Sequence, residues 1–295
     1  MKKPKYIRKN VLLAPLTSYN TGGTARFFAE PNSINGVSDA VGWAVSLSLP
    51  FFVIGAGSNL LVSDAGFDGL VIRISEKFSG IQGRDGKFNV KCGTMLNDLV
   101  YYVNNSGFAG IQELAGIPGT IGGAIVMNAG AFGQEIKDHL KEVKLLDVLG
   151  KTCCYKADEL EMSYRTSSLK SKNYIVLEAE FVFNPGKKTD IRKLNEDSRN
   201  ILNRRSAKQP LEFKSCGSVF ERPSGYYAGS LIDECGLKGY GYGGAEVSHK
   251  HANFIVNMGN ATSNDIYNVM KHVEDEVYKK KGIILKREVV LVGKF

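Results

Sequence analysis

Residues 33–49 place Val37, Ala40, Val41, Ala44 and Val45 at intervals of three and four, the spacing of one helix face, with Ser33 in the position of an N-cap. The pattern then changes. Phe51, Phe52, Val53 and Ile54 form a continuous apolar run that reads as a strand, and it opens into Gly55-Ala56-Gly57. A dinucleotide-binding turn would next require Gly or Ala three residues on and the start of a helix; Leu60 stands there, in a stretch that reads as loop and short strand. Strands are predicted over 69–75 and 87–93, then a helix carrying Leu96, Leu99, Val100 and Val103 between a Thr94 cap and Gly107. Strands over 141–150, 151–157 and 173–183 follow so closely that antiparallel neighbours are expected, not a doubly wound parallel sheet. Residues 184–190 read as a connector. The helix after it uses Ile191, Leu194, Ile201 and Leu202 and stops before Pro210. Another over 264–281 has Ser263 as its cap, Ile266, Val269, Met270, Val273 and Val277 as its apolar face, and Gly282 as its end. A last strand is predicted over 283–293.

Composition narrows the function classes. The 295 residues, 43% hydrophobic and 23% charged, are those of an ordinary globular protein of two or three domains. The apolar stretch 11–14 is too short for a secretory core and no run approaches a membrane span, so a cytoplasmic protein without membrane insertion is expected. The net charge of +8 is dispersed, with Lys279–Lys281 closing a helix; it fits an anionic small molecule and gives no reason to expect nucleic acid. Five cysteines without a CxxC pair, and four histidines without ligand spacing, imply reduced thiols and no metal site. Cys153 and Cys154 would point to opposite faces of a strand.

Three places carry candidate chemistry. The first is the pair of glycine-rich loops, 55–59 and 115–133, which flank a strand–helix unit; together they favour a nucleotide cofactor, with Ser58 and Asn59 as side-chain donors. The second is Arg165, in the small, polar stretch 162–170 before a strand. The third joins Ser218, presented after Gly217, to Glu288 in the last predicted strand. By alternation Glu288 shares a face with Ile284, Val290 and Val292, so it either reaches solvent at an edge or is buried in its neutral form. Cys216 has no histidine near it in the sequence to make it a nucleophile.

Residues 20–31 (NTGGTARFFAEP), 53–73 (VIGAGSNLLVSDAGFDGLVIR) and 115–136 (AGIPGTIGGAIVMNAGAFGQEI) resemble the FAD-binding half of the UDP-N-acetylenolpyruvoylglucosamine reductase (MurB) family. The resemblance runs from about residue 16 to 292. It implies an α+β fold: a two-subdomain FAD-binding fold of the MurB/vanillyl-alcohol-oxidase type, with a C-terminal α+β substrate domain. The implied divisions are 1–80, 81–188 and 189–295. In that superfamily loops, not a helix N-terminus, hold the pyrophosphate, which accounts for the missing third glycine. Gly55, Gly57, Ser58 and Asn59 are then implied as pyrophosphate contacts. Pro118, Gly119, Thr120, Gly122 and Gly123 are implied to line the other side of FAD, with Asn128 and Gly130 nearby. No histidine precedes His139, so covalent flavin attachment from the first loop is excluded. The family's catalytic arginine matches Arg165 in Tyr164-Arg165-Thr166-Ser167, its proton-donating serine matches Ser218 in a Gly-Ser-x-Phe motif, and its glutamate matches Glu288. The compact third domain resembles the shorter, second subclass, in which Tyr164 is the candidate for covering the substrate, and Lys214 stands where the family pattern has proline.

The implied reaction reduces the enolpyruvyl ether of UDP-N-acetylglucosamine to UDP-N-acetylmuramic acid, a peptidoglycan precursor. Hydride would pass from NADPH to non-covalent FAD and then to the substrate β-carbon, with Ser218 protonating the α-carbon. Two other readings remain: an FAD-dependent oxidase of the same superfamily, and a non-catalytic nucleotide-binding protein that kept the fold.

Overall fold

The computed structural model describes residues 2–172, 174–184 and 186–295. The chain forms two compact units, each assembled from three separated stretches: Met1–Arg8, Phe28–Ala56 and Gly69–Arg205 in the first, Lys9–Phe27, Gly57–Asp68 and Ser206–Phe295 in the second. Helix α1 (Ile34–Ser46) begins as expected, with the Ser33 hydroxyl accepting from Gly36 N–H. Its inward face is Val37, Ala40, Val41, Trp43 and Ala44; Val45, placed on that face by spacing, is exposed, and Trp43 is buried in its stead.

The centre of the first unit is an antiparallel sheet in the order Thr152–Lys156, Leu140–Leu146, Ile175–Val182, Lys87–Lys91, Ile81–Arg84. The antiparallel arrangement matches the short spacing of the predicted strands. The strand expected from 173 begins at Ile175; Asn173, and Pro185 within the expected connector, lie outside the described residues. Phe88, Phe108 and Phe183 gather on this sheet with ring centroids 5.9 to 6.5 Å apart, supplying a large buried apolar area. Cys153 is half-buried and Cys154 exposed, as alternation requires.

Helix α2 (Leu96–Asn105) is capped by Met95 backbone rather than by Thr94, whose hydroxyl turns back to Gly80 N–H. Its buried Asn104 donates to Ser198 Oγ and Leu194 O, and accepts from Gln112 Nε2. The short helix α3 (Ile121–Val126) follows the second glycine loop. Helix α4 (Ile191–Lys208) buries only Leu194 and Ser198; Ile191 and Leu202 are exposed. The expected four-residue apolar face is therefore corrected. The polar Asn104 contact seats this helix, and one turn of it suffices.

The second unit pairs Leu60–Val62 in parallel with Val290–Val292 and adds an antiparallel sheet of Gly241–Tyr242, Ala245–Val247 and Ile255–Asn257. Helices α5 (Ala228–Glu234) and α6 (Ser263–Lys281) pack around a core that includes Tyr19, Phe220, Ile232 and Val247. The five apolar residues expected on α6 are all buried, on the order of 10 kcal/mol of gross transfer free energy. The cap is Thr262, not Ser263: Thr262 accepts from Asp265 N–H, Asp265 accepts from Thr262 N–H, and Asp64 accepts from Ser263 and Asn264 N–H at 2.9 Å each. A carboxylate from 199 residues away thus satisfies orphan donors at the positive end of the helix dipole. The last strand is shorter than expected, since regular pairing covers only Val290–Val292.

Candidate active site

The first unit holds most of the second glycine loop's chemistry. Thr120 caps α3 by accepting from Gly123 N–H, while Gly119 O accepts from Leu96 N–H at 2.9 Å. Gly122 N–H donates to Cys92 O at 2.9 Å. Gly119 lies at φ 143, outside the range side chains favour. A Cβ on Gly55 would come within 2.2 Å of Thr120 Oγ1, so the two glycine loops are tied together at this point by close approach. Pro118 and Gly123 are exposed, Gly119, Thr120, Asn128 and Gly130 buried.

Arg165 stands at the tip of a two-residue turn closed by reciprocal bonds between Ser163 and Thr166, 3.0 and 3.1 Å. Its φ is 55, a left-handed conformation that the second central position of such a turn normally gives to glycine. Asn128 Nδ2 donates to Ser163 O at 2.9 Å, Ser167 Oγ to Val126 O at 2.7 Å and Lys170 Nζ to Arg165 O at 3.1 Å. The Arg165 guanidinium donates to Gly130 O at 2.9 Å and lies 5.1 Å from the centre of the exposed Tyr164 ring. Glu135 is drawn into the same cluster. Burial opposes its ionisation, but hydrogen bonds from Lys137 and Asn128 and the charges of Lys137 and Arg165 hold its carboxyl below the usual range. Arg205 is shifted down, by burial first and by the charge of Arg165 second. The first unit therefore brings Arg165, Asn128, Gly130 and Tyr164 together.

The second unit brings Ser218 beside Glu288. Glu288 N–H donates to Val219 O at 2.8 Å, Glu221 N–H to Lys286 O at 2.8 Å, and Phe220 pairs with Arg287. Strict alternation does not hold along this stretch. Leu285, Val289 and Val292 are buried, Ile284 is exposed, and Glu288 is half-buried. Gly217 bends the chain at φ 75 with open space where a Cβ would sit, and Ser218 follows, half-buried. Asn253 fixes the corner: its side chain donates to Phe220 O at 2.9 Å and accepts from Phe220 N–H at 3.0 Å, while its carbonyl accepts from Val219 N–H. Lys214 O accepts from Asn257 N–H at 2.9 Å, so this loop is anchored by main chain where the family pattern has proline.

Gly57, Ser58 and Asn59 also belong to the second unit. Gly57 has φ 66, and a Cβ there would meet Leu16 O at 2.1 Å. Asn59 Nδ2 donates to Glu288 O at 3.0 Å and Asn59 O accepts from Val290 N–H at 3.0 Å. Asn59 thus helps fix the Glu288 backbone. Cys216 is buried, its thiol pushed up to about 12 chiefly by burial, which leaves it protonated and unreactive at neutral pH. No cluster of metal-ligating side chains occurs among the described residues, nor a helix long and apolar enough to cross a membrane. Sequence reading missed Asn253 and Glu135; the only available signals were a polar residue entering the apolar run 254–256 and an acidic one closing a glycine-rich stretch.

Paired glycine loops and an antiparallel α+β unit define the class as an FAD-binding flavoprotein: residues 25–154 match the family model "FAD binding domain". Residues 209–292 match the model of the UDP-N-acetylenolpyruvoylglucosamine reductase C-terminal domain. The chain is 40% identical to the UDP-N-acetylenolpyruvoylglucosamine reductase of Alkaliphilus oremlandii over 94% of this chain and 90% of the relative. It is likewise 40% identical to that of Oceanobacillus iheyensis over 97% of this chain and 93% of the relative. The crystal structure of MurB from Thermus caldophilus superimposes with a TM-score of 0.83 at 32% identity, over 98% of this chain and all of that one. The chain belongs to the UDP-N-acetylenolpyruvoylglucosamine reductase family.

Proposed function

We infer that this chain is an FAD-dependent oxidoreductase that reduces the enolpyruvyl ether of UDP-N-acetylglucosamine, with NADPH as reductant, in peptidoglycan precursor synthesis. Family membership over nearly the whole chain supports the reaction. The residue roles are carried chiefly by one observation: the bond from Glu288 N–H to Val219 O, which sets the expected acid next to the expected serine. The chain works in the cytoplasm, without nucleic-acid partners, and belongs to the shorter subclass. Functionally, 1–80 and 81–188 serve the flavin and 189–295 the substrate.

The loops suit an anionic dinucleotide. Residues 55–59 and 117–123 contain no acidic side chain, so nothing in them repels the negative charge of a pyrophosphate. Gly55, Gly57, Ser58 and Asn59 would hold the pyrophosphate; Pro118, Gly119, Thr120, Gly122 and Gly123 would line the remainder of FAD, with Asn128 and Gly130 nearby. FAD held there without a covalent link would supply hydride, taken from NADPH, to the substrate β-carbon.

Addition at the β-carbon leaves negative charge on the α-carbon and its carboxylate. Arg165 stabilises that charge through paired N–H donors, worth several kcal/mol on the order of a lost oxyanion donor. Glu288, neutral, donates a hydrogen bond to the same carboxylate; ionised, it would repel it. Ser218 delivers the proton to the α-carbon. A hydroxyl is a weak acid, but the carbanion is a strong base, and orientation by the Gly217 bend replaces acidity as the requirement. Tyr164 covers the substrate.

The test is NADPH oxidation by the purified protein, followed in the presence of the enolpyruvyl substrate and then with oxygen alone. Turnover that needs the substrate supports the reductase; turnover with oxygen and a sugar, and none with the enolpyruvyl ether, would identify an oxidase. In Ser218→Ala, flavin reduction by NADPH stays within about twofold while reoxidation by substrate falls at least about 100-fold. Normal reoxidation would remove Ser218 as the acid.

A further inference from the structure

We propose that Asn128 and Glu135 are positioning residues for Arg165, holding its guanidinium and its strained turn in place as one closed circuit; this rests on the role given to Arg165 above. The circuit can be followed bond by bond. Arg165 Nη2 donates to Gly130 O at 2.9 Å. Gly130 is the cross-strand partner of Glu135 in the hairpin Gly130–Ala131/Gln134–Glu135. Glu135 Oε2 accepts from Asn128 Nδ2 at 2.9 Å, and the same amide nitrogen donates to Ser163 O at 2.9 Å, at the base of the Arg165 turn. Asn128 Oδ1 accepts from Lys137 N–H at 3.3 Å, and Lys137 Nζ lies 2.9 Å from Glu135 Oε2.

Three features make this a device for Arg165 and not general packing. Asn128 is fully buried and both of its amide hydrogens are spent inside the circuit, so its side chain has no donor left for a flavin. It adopts φ 41, so two non-glycine residues in the left-handed region, Asn128 and Arg165, are joined through Ser163. Gly130 admits no side chain, since a Cβ would lie 2.6 Å from Gln134 O and 2.8 Å from Glu135 Cγ; the carbonyl that receives Arg165 is thus pinned against Glu135. The negative charge of Glu135 complements the cation it helps to orient.

The experiment is a double-mutant cycle on the full-length, flavin-loaded protein with Glu135→Ala, Glu135→Gln and Arg165→Lys, reading both half-reactions, substrate KM and product affinity by calorimetry. Glu135→Ala should slow reoxidation by substrate about 10- to 100-fold and weaken product binding, while flavin reduction by NADPH is nearly unchanged. Glu135→Gln keeps the acceptor for Asn128 and should recover part of that loss; it also carries the cycle if the alanine variant does not fold. Combined with Arg165→Lys, either change should add no more than about twofold, because the residues act through one another. Fully multiplicative losses, or equal damage to both half-reactions, would overturn the positioning role alone. An Arg165→Lys variant with normal reoxidation would instead remove the reading of Arg165 and the positioning role with it.

Discussion

Arg165 and Ser218 are both presented by irregular backbone, yet they are held in opposite ways. Arg165 occupies a left-handed conformation of its own, and side chains restrain its turn: Asn128, Ser167 and Lys170 all bond to it or to the chain around it. At Ser218 the left-handed position is given to Gly217, and the corner is fixed by main-chain pairing to Glu288 and by the Asn253 amide. One site stores strain in the functional residue itself, and the other places it on a glycine that bears it without cost. A strained functional residue can be relieved only by giving up function; a strain-free corner breaks only when its scaffold does.

The sharpest way to break this comparison is Arg165→Gly. Glycine relieves about 1–2 kcal/mol of left-handed strain, but it forfeits the bond to Gly130 and gains unfolded-state entropy, about 1 kcal/mol each. The melting temperature should therefore move by no more than about 2–4 °C, while substrate-dependent turnover falls by about 1,000-fold or more. A marked rise or fall in stability would show that the strain had been misjudged.

A second contrast uses the glycines of the other unit. Gly57→Ala drives a Cβ to 2.1 Å from Leu16 O at φ 66, and chemical denaturation should register a loss of about 3 kcal/mol or more. Gly217→Ala meets open space at φ 75 and should cost only about 1–2 kcal/mol of left-handed strain. Similar losses for the two would mean that dihedral strain alone, and not close approach, sets the penalty.

The smallest effect is a pH dependence. Because the folded Glu135 pKa lies below its ordinary value, its contribution is complete above the unfolded carboxylate pKa of about 4.3 and is lost as pH falls through the depressed folded value. Protection of the Ser163 and Thr166 amides, after correction for the intrinsic slowing of exchange in acid, should therefore fall as pH drops. The bonds of the Ser218 corner run between main-chain groups and the Asn253 amide, none of which titrates, so the corrected protection of Val219 and Phe220 should not follow the same transition.

Much of this architecture was legible in the chain itself. The α1 and α6 periodicities, the closely spaced antiparallel strands and the motifs at 53–59, 115–136 and 164–167 are local patterns, and local patterns need only the rise and turn of a helix or strand to be read. Caps were less secure. Thr94 and Ser263 were plausible by residue type, but each neighbour could serve, and the choice fell to long-range partners such as Gly80 and Asp64. The strand predicted through Glu288 failed at its start, because regular pairing is confined to Val290–Val292 while Glu288 bonds to Val219, some 70 residues earlier.

Sequence alone determined which residue types the site has to work with: uncharged glycine loops, an arginine in a small polar turn, a serine after a glycine and a late glutamate. Tertiary structure decided what each is attached to. Sequence reads Asn59 as a donor and places Asn128 only near the flavin; the fold commits both amide hydrogens of Asn128 to Glu135 and Ser163, and one of Asn59 to Glu288 O. It also decided that residues 9–27 and 57–68 fold with the C-terminal stretch. Periodicity is a property of neighbours along the chain, whereas a hydrogen-bond partner hundreds of residues away is chosen only when burial forces every polar group to find one.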